Sequence, residues 1–150
     1  MNQVGELVKK IMGADGLEKL GQEFADLLCK NTPFTVWLQG SLGAGKTTLV
    51  KHILQAMGLP SHIPVTSPTY TFMNEYHIEG KWYAHLDLYR SSPDQDLDDF
   101  GVWDAKPYQG IFIEWPEQVE SSPDLAPTHK VSIQDHGWDQ RAYIFEEVER

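Results

Sequence analysis

TVWLQGSLGAGKTTLVKHILQAMGL, residues 35–59, is the stretch that decides the fold of this chain. It contains the pattern Gly-x-x-x-x-Gly-Lys-Thr at residues 40–47. The β-branched and aromatic run over Phe34–Leu38 predicts a buried strand before the pattern. The apolar residues after it recur at helical spacing, and Gly58 lies where a helix C-terminal glycine belongs. Strand, glycine-rich loop and helix therefore follow in the order that a phosphate-binding loop requires.

The loop has the composition needed to surround phosphate oxygens with backbone amides. Gly40, Gly43 and Gly45 let the chain turn tightly, and the helix that begins near Lys46 adds the positive end of its dipole. The Lys46 ammonium can reach the β- and γ-phosphates, and the Thr47 hydroxyl is placed to ligate Mg²⁺. A glycine-rich turn with an incidental lysine is the alternative, which the flanking strand and helix disfavour. The predicted nucleotide-binding residues of the loop are Ser41, Leu42, Gly43, Ala44, Gly45, Lys46, Thr47 and Thr48.

Two acidic residues that end apolar strands are candidates for the metal ion and the attacking water, both of which a triphosphate site needs. Glu114 follows Ile111-Phe112-Ile113, the place of a Walker B acid, although Glu replaces the usual Asp. Asp87 follows the run Trp82–Leu86. Each acid alone can be a structural cap or an exposed charge. Together with the loop, we predict that Asp87, Glu114 and Lys46 are catalytic.

Between the loop helix and the next strands lies VTSPTYTF, residues 65–72. Its hydroxyl groups, on Thr66, Ser67 and Thr69, can contact a γ-phosphate or its metal ion, as switch segments do. The alternative is a proline-containing turn that leads into a strand. The spacing alone leaves both interpretations open.

Three further features have both a chemical and a structural interpretation. His85 can relay a proton, but a lone histidine on a strand is usually packed and hydrogen-bonded. Arg90 can place positive charge near the γ-phosphate, whereas a structural or interface role is the better prediction. The acidic run over residues 94–99 is better interpreted as dipole partners and solvent-facing charges of a short helix than as a metal cluster.

The rest of the pattern predicts one α/β domain over residues 1–150, with a mixed β-sheet flanked by helices. The capping-box spacing Asp15-x-x-Glu18 predicts the start of a helix that ends before Pro33. The predicted strands, besides the one before the loop, are Leu7–Met12, Thr69–Ile78 and Lys81–Tyr89 joined by a hairpin at Glu79-Gly80, Gly110–Glu114, and a C-terminal antiparallel hairpin around His136-Gly137-Trp138.

Composition limits the possible partners and the location. The chain has 22 acidic and 12 basic residues and a formal charge of −10, which suits autonomous nucleic-acid binding poorly because phosphates must be neutralised by Lys and Arg. Cys29 is the only cysteine, so no internal disulfide is expected, and its helical position predicts a small buried side chain. No apolar run suggests a signal peptide or a membrane span. We therefore expect a cytoplasmic protein.

Four motifs together resemble a known family. GSLGAGKTT, VTSPTYTF, HLDLYR and EWPEQ, in this order in a short chain, are similar to the bacterial TsaE family, also called YjeE, over about residues 35–117. The resemblance implies a P-loop ATPase of tRNA threonylcarbamoyladenosine (t6A) biosynthesis that uses ATP and Mg²⁺. It also implies two protein partners, the tRNA threonylcarbamoyl transferase and its paralogous scaffold. ATP hydrolysis would reset their complex, and tRNA would be contacted only through these partners.

The resemblance also implies a role for each matching residue. The Lys46 ammonium and the loop amides would hold the phosphates. The remaining implied roles are Mg²⁺ binding for Thr47 and Glu114, water activation for Asp87, a switch for Ser67 and Thr69, and a place near the nucleotide or a partner for Trp115. One departure is Ser41, where the family often has Asp, which predicts an altered hydrolysis rate with phosphate binding retained.

Three other functions share the loop. A small-molecule P-loop kinase usually has an Arg-rich lid, and 12 basic residues without an Arg cluster disfavour one. A GTPase-type module would need an Asn-Lys-x-Asp stretch, which this sequence lacks. The last is a module that binds ATP without hydrolysing it.

Overall fold

A computed structural model describes residues 3–41, 43–68, 72–89, 107–119 and 125–149 of the chain. In this part of the chain, seven strands form one sheet in the order β1-β7-β6-β2-β5-β4-β3. The strands are β1 Gln3–Met12, β2 Phe34–Gln39, β3 Met73–Ile78, β4 Lys81–Asp87, β5 Tyr108–Glu114, β6 His129–Asp135 and β7 Arg141–Glu149. The α-helices are α1 Leu17–Leu28 and α2 Lys46–Ala56.

The sheet is mixed, as predicted. β2 runs parallel to both β5 and β6, and β4 runs parallel to β5. The pairs β3–β4, β6–β7 and β1–β7 are antiparallel, which confirms the C-terminal hairpin. The α/β fold with a mixed sheet is therefore confirmed.

Most strand bounds differ from the predicted ones: β2 extends to Gln39, β4 ends at Asp87 instead of Tyr89, and β5 begins at Tyr108 instead of Gly110. The first strand is longer than the predicted Leu7–Met12, because it pairs with β7 from Gln3 onward. β3 begins at Met73, and residues 69–71 of the predicted strand lie outside the described residues. The predicted acidic helix after Ser92 also lies outside them. Glu79 and Gly80 form the predicted turn, with φ of 50° and 80°, the left-handed values of a two-residue hairpin turn.

The predicted capping box at the start of α1 is wrong. Asp15 lies in a 3₁₀ turn over Ala14–Gly16, and the helix starts at Leu17 with Gly16 as its N-cap and no side-chain cap. The turn is closed by a hydrogen bond from Gly16 N to Gly13 O of 3.2 Å, so Asp15 stands one residue too early to cap. The helix ends before Pro33, as predicted, but Cys29 is exposed instead of buried because it lies just past the helix end.

Alternation along the strands sends side chains to two cores, one on each face of the sheet. On one face, Val36 and Phe112 pack with α1 and α2. On the other, Trp37 packs with Leu86 and Ile113. Odd-numbered residues of β4 and even-numbered residues of β5 therefore face the helices. This alternation directs three polar side chains toward the loop helix, namely those of His85, Asp87 and Glu114.

Candidate functional site

The glycine-rich loop leaves the carboxyl end of β2 and leads directly into α2. Gly43 and Gly45 have φ of 80° and 102°, the left-handed region that favours glycine. Ala44 N donates to Ser41 O at 3.0 Å and closes the turn. Leu42, a predicted binding residue, lies outside the described residues. The loop thus lies at the end of a sheet where parallel strands place ligands in α/β folds.

The Lys46 side chain is held inside this loop. It is 5% exposed, and its Nζ donates to Gly40 O at 2.6 Å and to Ser41 O at 3.4 Å. Nζ also lies 3.8 Å from the centroid of the Trp115 ring. Burial lowers the pKa of Lys46, and the carboxylates around it, Glu114 above all, oppose that shift. The ammonium is therefore enclosed by carbonyls and a ring face, within reach of an anion in the loop.

Thr47, in the first turn of α2, contacts the acid at the end of β5. Its Oγ1 donates to Glu114 Oε2 at 2.7 Å, and Glu114 is 3% exposed. Leu38 of β2 pairs in register with Glu114, so the end of β5 lies beside the start of the loop. The structure thus brings together the two residues that were predicted to hold a metal ion.

A second contact to Glu114 comes from His85, which is fully buried. Its Nε2 lies 2.5 Å from the same Oε2 atom. The other ring nitrogen, Nδ1, is buried with no hydrogen-bond partner among the described residues. A proton on Nδ1 would be a buried donor without an acceptor, which is costly, so we infer that the proton is on Nε2 and is donated to Glu114.

The sequence does not predict this partnership, because it offers only a proton relay or a packed, hydrogen-bonded side chain as roles for His85. The geometry agrees with a packed, hydrogen-bonded histidine, but its partner is the candidate metal acid itself. Only the register could have shown this. His85 pairs with Phe112, so Glu114 is two residues further along the neighbouring strand on the same face.

Asp87 lies beside Glu114 on the next strand. The two residues pair in register between β4 and β5. Ser67 Oγ donates to Asp87 Oδ2 at 2.7 Å, and Tyr89 N donates to Asp87 Oδ1 at 3.0 Å. The segment after α2 therefore returns to the acids through Ser67. Thr69, the other predicted switch residue, lies outside the described residues, as do Arg90 and the acidic run over 94–99.

Trp115 follows Glu114 directly and closes the other side of the Lys46 ammonium. Its φ is 59°, which is rare for a large side chain and marks a constrained backbone. Its ring lies 4.8 Å from that of Tyr89, centroid to centroid. The structure therefore places Trp115 beside the loop lysine.

The donor set is compatible with a magnesium ion. The described residues include no group of three or more His, Cys, Asp or Glu side chains that could hold a metal ion on their own. The available donors are oxygens, namely the Thr47 hydroxyl and the carboxylates of Glu114 and Asp87. Mg²⁺ prefers this arrangement, because it binds through one or two carboxylates and completes its shell with substrate phosphates and water. An ion at this place would take the rest of its shell from phosphate oxygens or water.

Arg141, at the start of β7, is a loop contact that the sequence reasoning missed. Its Nη2 donates to Gly43 O at 3.4 Å, and a Cβ on Gly45 would lie 2.9 Å from its Nη1. No local motif marks Arg141, because only the pairing of β6 with β2 brings the start of β7 beside the loop.

Ser41, the departure from the family pattern, is exposed. No helix among the described residues is long and apolar enough to cross a membrane.

Comparison with known proteins gives a consistent result. The family described as threonylcarbamoyl adenosine biosynthesis protein TsaE matches residues 12–143. The tRNA threonylcarbamoyladenosine biosynthesis protein TsaE of Haemophilus influenzae is 41% identical over 104 residues, which is 67% of this chain and 65%, just under two thirds, of that protein. The corresponding protein of Aquifex aeolicus is 37% identical over 116 residues, 75% of this chain and 80% of that one.

A solved structure is similar to the chain over almost its whole length. The crystal structure of YdiB from Bacillus subtilis covers 97% of this chain, with a TM-score of 0.69 and 24% sequence identity, and the match covers 87% of YdiB. At this identity the similarity shows the fold alone. It agrees with the mixed sheet and its flanking helices.

Proposed function

The chain belongs to the TsaE family, and from this membership and the site geometry we propose that it is a Mg²⁺-dependent ATPase of tRNA threonylcarbamoyladenosine biosynthesis. The observation that carries the ATPase assignment is the polar cluster beside the loop, in which Lys46, Asp87 and Glu114 are buried and the half-buried Thr47 contacts Glu114. Buried charges are costly to retain unless they are paired or bind a ligand. The t6A assignment rests on the family.

The loop and Lys46 would bind the phosphates. The first amides of α2, which have no acceptor within the helix, and the left-handed turns at Gly43 and Gly45 favour an anion at this place. Lys46 Nζ now donates to two loop carbonyls, so its donors exchange these acceptors for phosphate oxygens when nucleotide binds. Because its charge contacts the ground state and the transition state alike, Lys46 acts chiefly on affinity.

Thr47 and Glu114 would hold the metal ion, which supplies charge neutralisation at the β- and γ-phosphates. The hydrogen bond from the Thr47 hydroxyl to Glu114 Oε2 already brings both groups together. The second bond to that oxygen, from His85 Nε2, fixes the carboxylate from the core side. The chain therefore pre-organises the acid before any ligand arrives.

Asp87 would orient the attacking water. Its carboxylate is held by hydrogen bonds from the Ser67 hydroxyl and the Tyr89 amide, one to each oxygen. A carboxylate oxygen can accept more than one hydrogen bond, so a water proton can be accepted beside these two. Since Ser67 belongs to the predicted switch segment, movement of that segment on hydrolysis would be transmitted through the Ser67–Asp87 hydrogen bond.

The proposed partners are the tRNA threonylcarbamoyl transferase and its paralogous scaffold, which would hold the tRNA. The net charge of −10 supports this division of roles, because an acidic chain is repelled by nucleic acid. ATP binding would drive assembly with these partners, and hydrolysis would reset the complex.

Reconstitution with the two partners and tRNA tests this proposal. We expect complex formation and threonylcarbamoylation to depend on this chain and on ATP, and Glu114→Ala to bind ATP but release little phosphate. Turnover by the partners that is indifferent to the chain and ATP would refute the switch role. Phosphate release that is absent from wild type as well would indicate a binding module. Transfer of phosphate to a nucleoside or another small metabolite would indicate the kinase alternative.

A further inference from the structure

The two sides of β2 differ in the chemistry they offer to a nucleotide. β5 and β4, on one side, carry the candidate metal acids Glu114 and Asp87. β6 and β7 lie on the other side. If the proposed function holds, on which this inference rests, the metal-bound end of the triphosphate points toward β5. The nucleoside end must then leave the loop on the side of β6 and β7.

A cavity lies on that side, between the loop and the β6–β7 turn. Its volume is about 420 Å³, and it is lined by Ser41, Gly43 and Ala44 of the loop and by the turn over residues 137–141. Small-molecule sites commonly have volumes of about 300 to 1,000 Å³. The cavity is therefore continuous with the phosphate-binding loop and large enough for the nucleoside part of a ligand.

Trp138 is at the tip of this turn and is 99% exposed. Gly137, Trp138 and Asp139 have consecutive positive φ values of 81°, 45° and 59°. Two of these residues are not glycine, and such backbone persists only where the surroundings hold it. Three hydrogen bonds do so, from His136 N to Gln140 O, from Gln140 N to Gly137 O, and from Gly137 N to Asp135 Oδ1, each 2.9 Å long. The turn therefore holds an uncovered indole ring beside the cavity.

The turn is also tied to the loop. Arg141 closes the turn on the β7 side, and its guanidinium reaches Gly43 O and the space beside Gly45. The position of the turn relative to the bound phosphates is therefore set by the same loop that would bind them.

We propose that the β6–β7 turn is the nucleobase platform of this protein, with the Trp138 indole stacking on a purine ring and Arg141 fixing the turn to the loop. Any base offers a π-face, so the indole would supply affinity with little discrimination between adenine and guanine. Base–aromatic stacking of this kind changes affinity by about 5- to 150-fold.

Calorimetric titration of the full chain with two ligands, ATP and inorganic tripolyphosphate, both with MgCl₂, tests the platform. Trp138→Ala should weaken ATP binding about 10-fold and leave tripolyphosphate binding unchanged. Trp138→Phe keeps an aromatic face and should remain within about 3-fold of wild type. The control is Ile63→Ala, which removes another exposed apolar side chain and should change neither ligand's affinity.

Each other outcome overturns the inference in a distinguishable way. An equal loss for ATP and tripolyphosphate would mean that Trp138 acts through the loop. Unchanged affinity for both ligands would mean that Trp138 does not contact the nucleotide, and the exposed indole would then be available to a protein partner. In both cases the wild-type chain still binds ATP and the proposed function stands, whereas a wild-type chain that binds neither ligand would refute the proposed function together with the platform.

Discussion

The strands on the two sides of β2 each carry a buried histidine, and the two histidines differ in their side-chain partners. On the β4–β5 side, His85 contacts the Glu114 carboxylate. On the β6–β7 side, His129 contacts the Thr128 hydroxyl, with its Nδ1 2.7 Å from Oγ1. Both are almost fully buried, and each has one ring nitrogen without a hydrogen-bond partner in the part of the chain that is described.

The partners of the two histidines determine what each one supports. The contact of His85 continues through Glu114 to Thr47 and the loop helix. The contact of His129 continues through Thr128 to the backbone of Thr35, which donates to and accepts from that hydroxyl at 2.9 and 3.1 Å. Two equally buried histidines therefore have different roles: His85 supports the candidate site, and His129 supports strand pairing. Substitutions on the two sides should accordingly change different quantities.

Asp87→Asn should give the largest effect and should act on turnover alone. The substitution keeps the shape and removes the charge that orients the water, and loss of such a group typically costs 10²- to 10⁴-fold. We expect about a 100-fold lower rate per bound ATP, with ATP affinity within about 3-fold. Phosphate release and calorimetry measure the two quantities. Ser67→Ala is the matched control, since it removes a hydrogen bond to the same carboxylate and leaves its charge in place. If the Asp87→Asn substitution abolished binding but spared the rate per bound ATP, the role given to Asp87 would be wrong.

Lys46→Ala should act on affinity instead. A hydrogen bond to a charged group contributes about 1.5 to 3 kcal/mol, so we expect ATP binding to weaken about 30-fold. Lys51→Ala, on the exposed face of the same helix, removes an equal charge outside the loop and should leave ATP affinity unchanged. Thermal unfolding of both variants shows whether the fold survives, because Lys46 is buried. Unchanged affinity with lost turnover would assign Lys46 to the transition state alone.

The elements on which these two predictions rest were accessible from the sequence. The motif at residues 40–47 defines strand, loop and helix by local spacing, and Asp87 and Glu114 were recognised because each ends an apolar strand. Because a triphosphate site needs acids for the metal ion and the attacking water, both were predicted to act together with the loop. The structure places the two acids in register with each other.

The contacts that were missed depend on strand order. His85 meets Glu114 because β4 neighbours β5 in one particular register, and Arg141 meets Gly43 because β6 neighbours β2. Neither adjacency leaves a local signal in the chain. The capping box predicted at Asp15 is wrong for a different reason. The spacing fits the motif, but a 3₁₀ turn over Ala14–Gly16 moves the helix start to Leu17.

His85→Leu should have an intermediate effect on the metal side. It removes a donor that holds Glu114 Oε2, so the carboxylate loses one of the two hydrogen bonds that it accepts in the described part of the chain. We expect about a 10-fold lower turnover and a higher Mg²⁺ concentration for half-maximal rate. His85→Gln, whose amide nitrogen can stand near the position of Nε2, should restore much of both. A purely structural role would lower the melting temperature in both variants and leave the Mg²⁺ dependence unchanged.

The smallest effect should come from His129, and it should appear in stability and its pH dependence. Burial lowers the pKa of His129, and Glu147, which faces it across the β6–β7 pair, opposes that shift in part. An unfolded histidine titrates near pH 6.5. Because the folded pKa is the lower one, the stabilisation is complete above about pH 6.5 and is lost as the pH falls toward the folded pKa.

We therefore expect the free energy of unfolding, measured by urea denaturation, to decrease from pH 7.5 to pH 5.5. The share of His129 in that slope is at most about 1.4 kcal/mol per pH unit, since it corresponds to one proton. His129→Gln cannot take up the proton, so its slope should be flatter than that of wild type. His52→Gln is the control, because burial also lowers the pKa of His52 but this side chain remains partly exposed on α2 and should contribute less. ATP affinity at pH 7.5 should be the same in all three proteins. A changed affinity in the His129 variant would mean that a change on the β6–β7 side reaches the phosphate loop through β2. The distinction between a histidine that positions the metal acid and one that only supports strand pairing would then no longer hold.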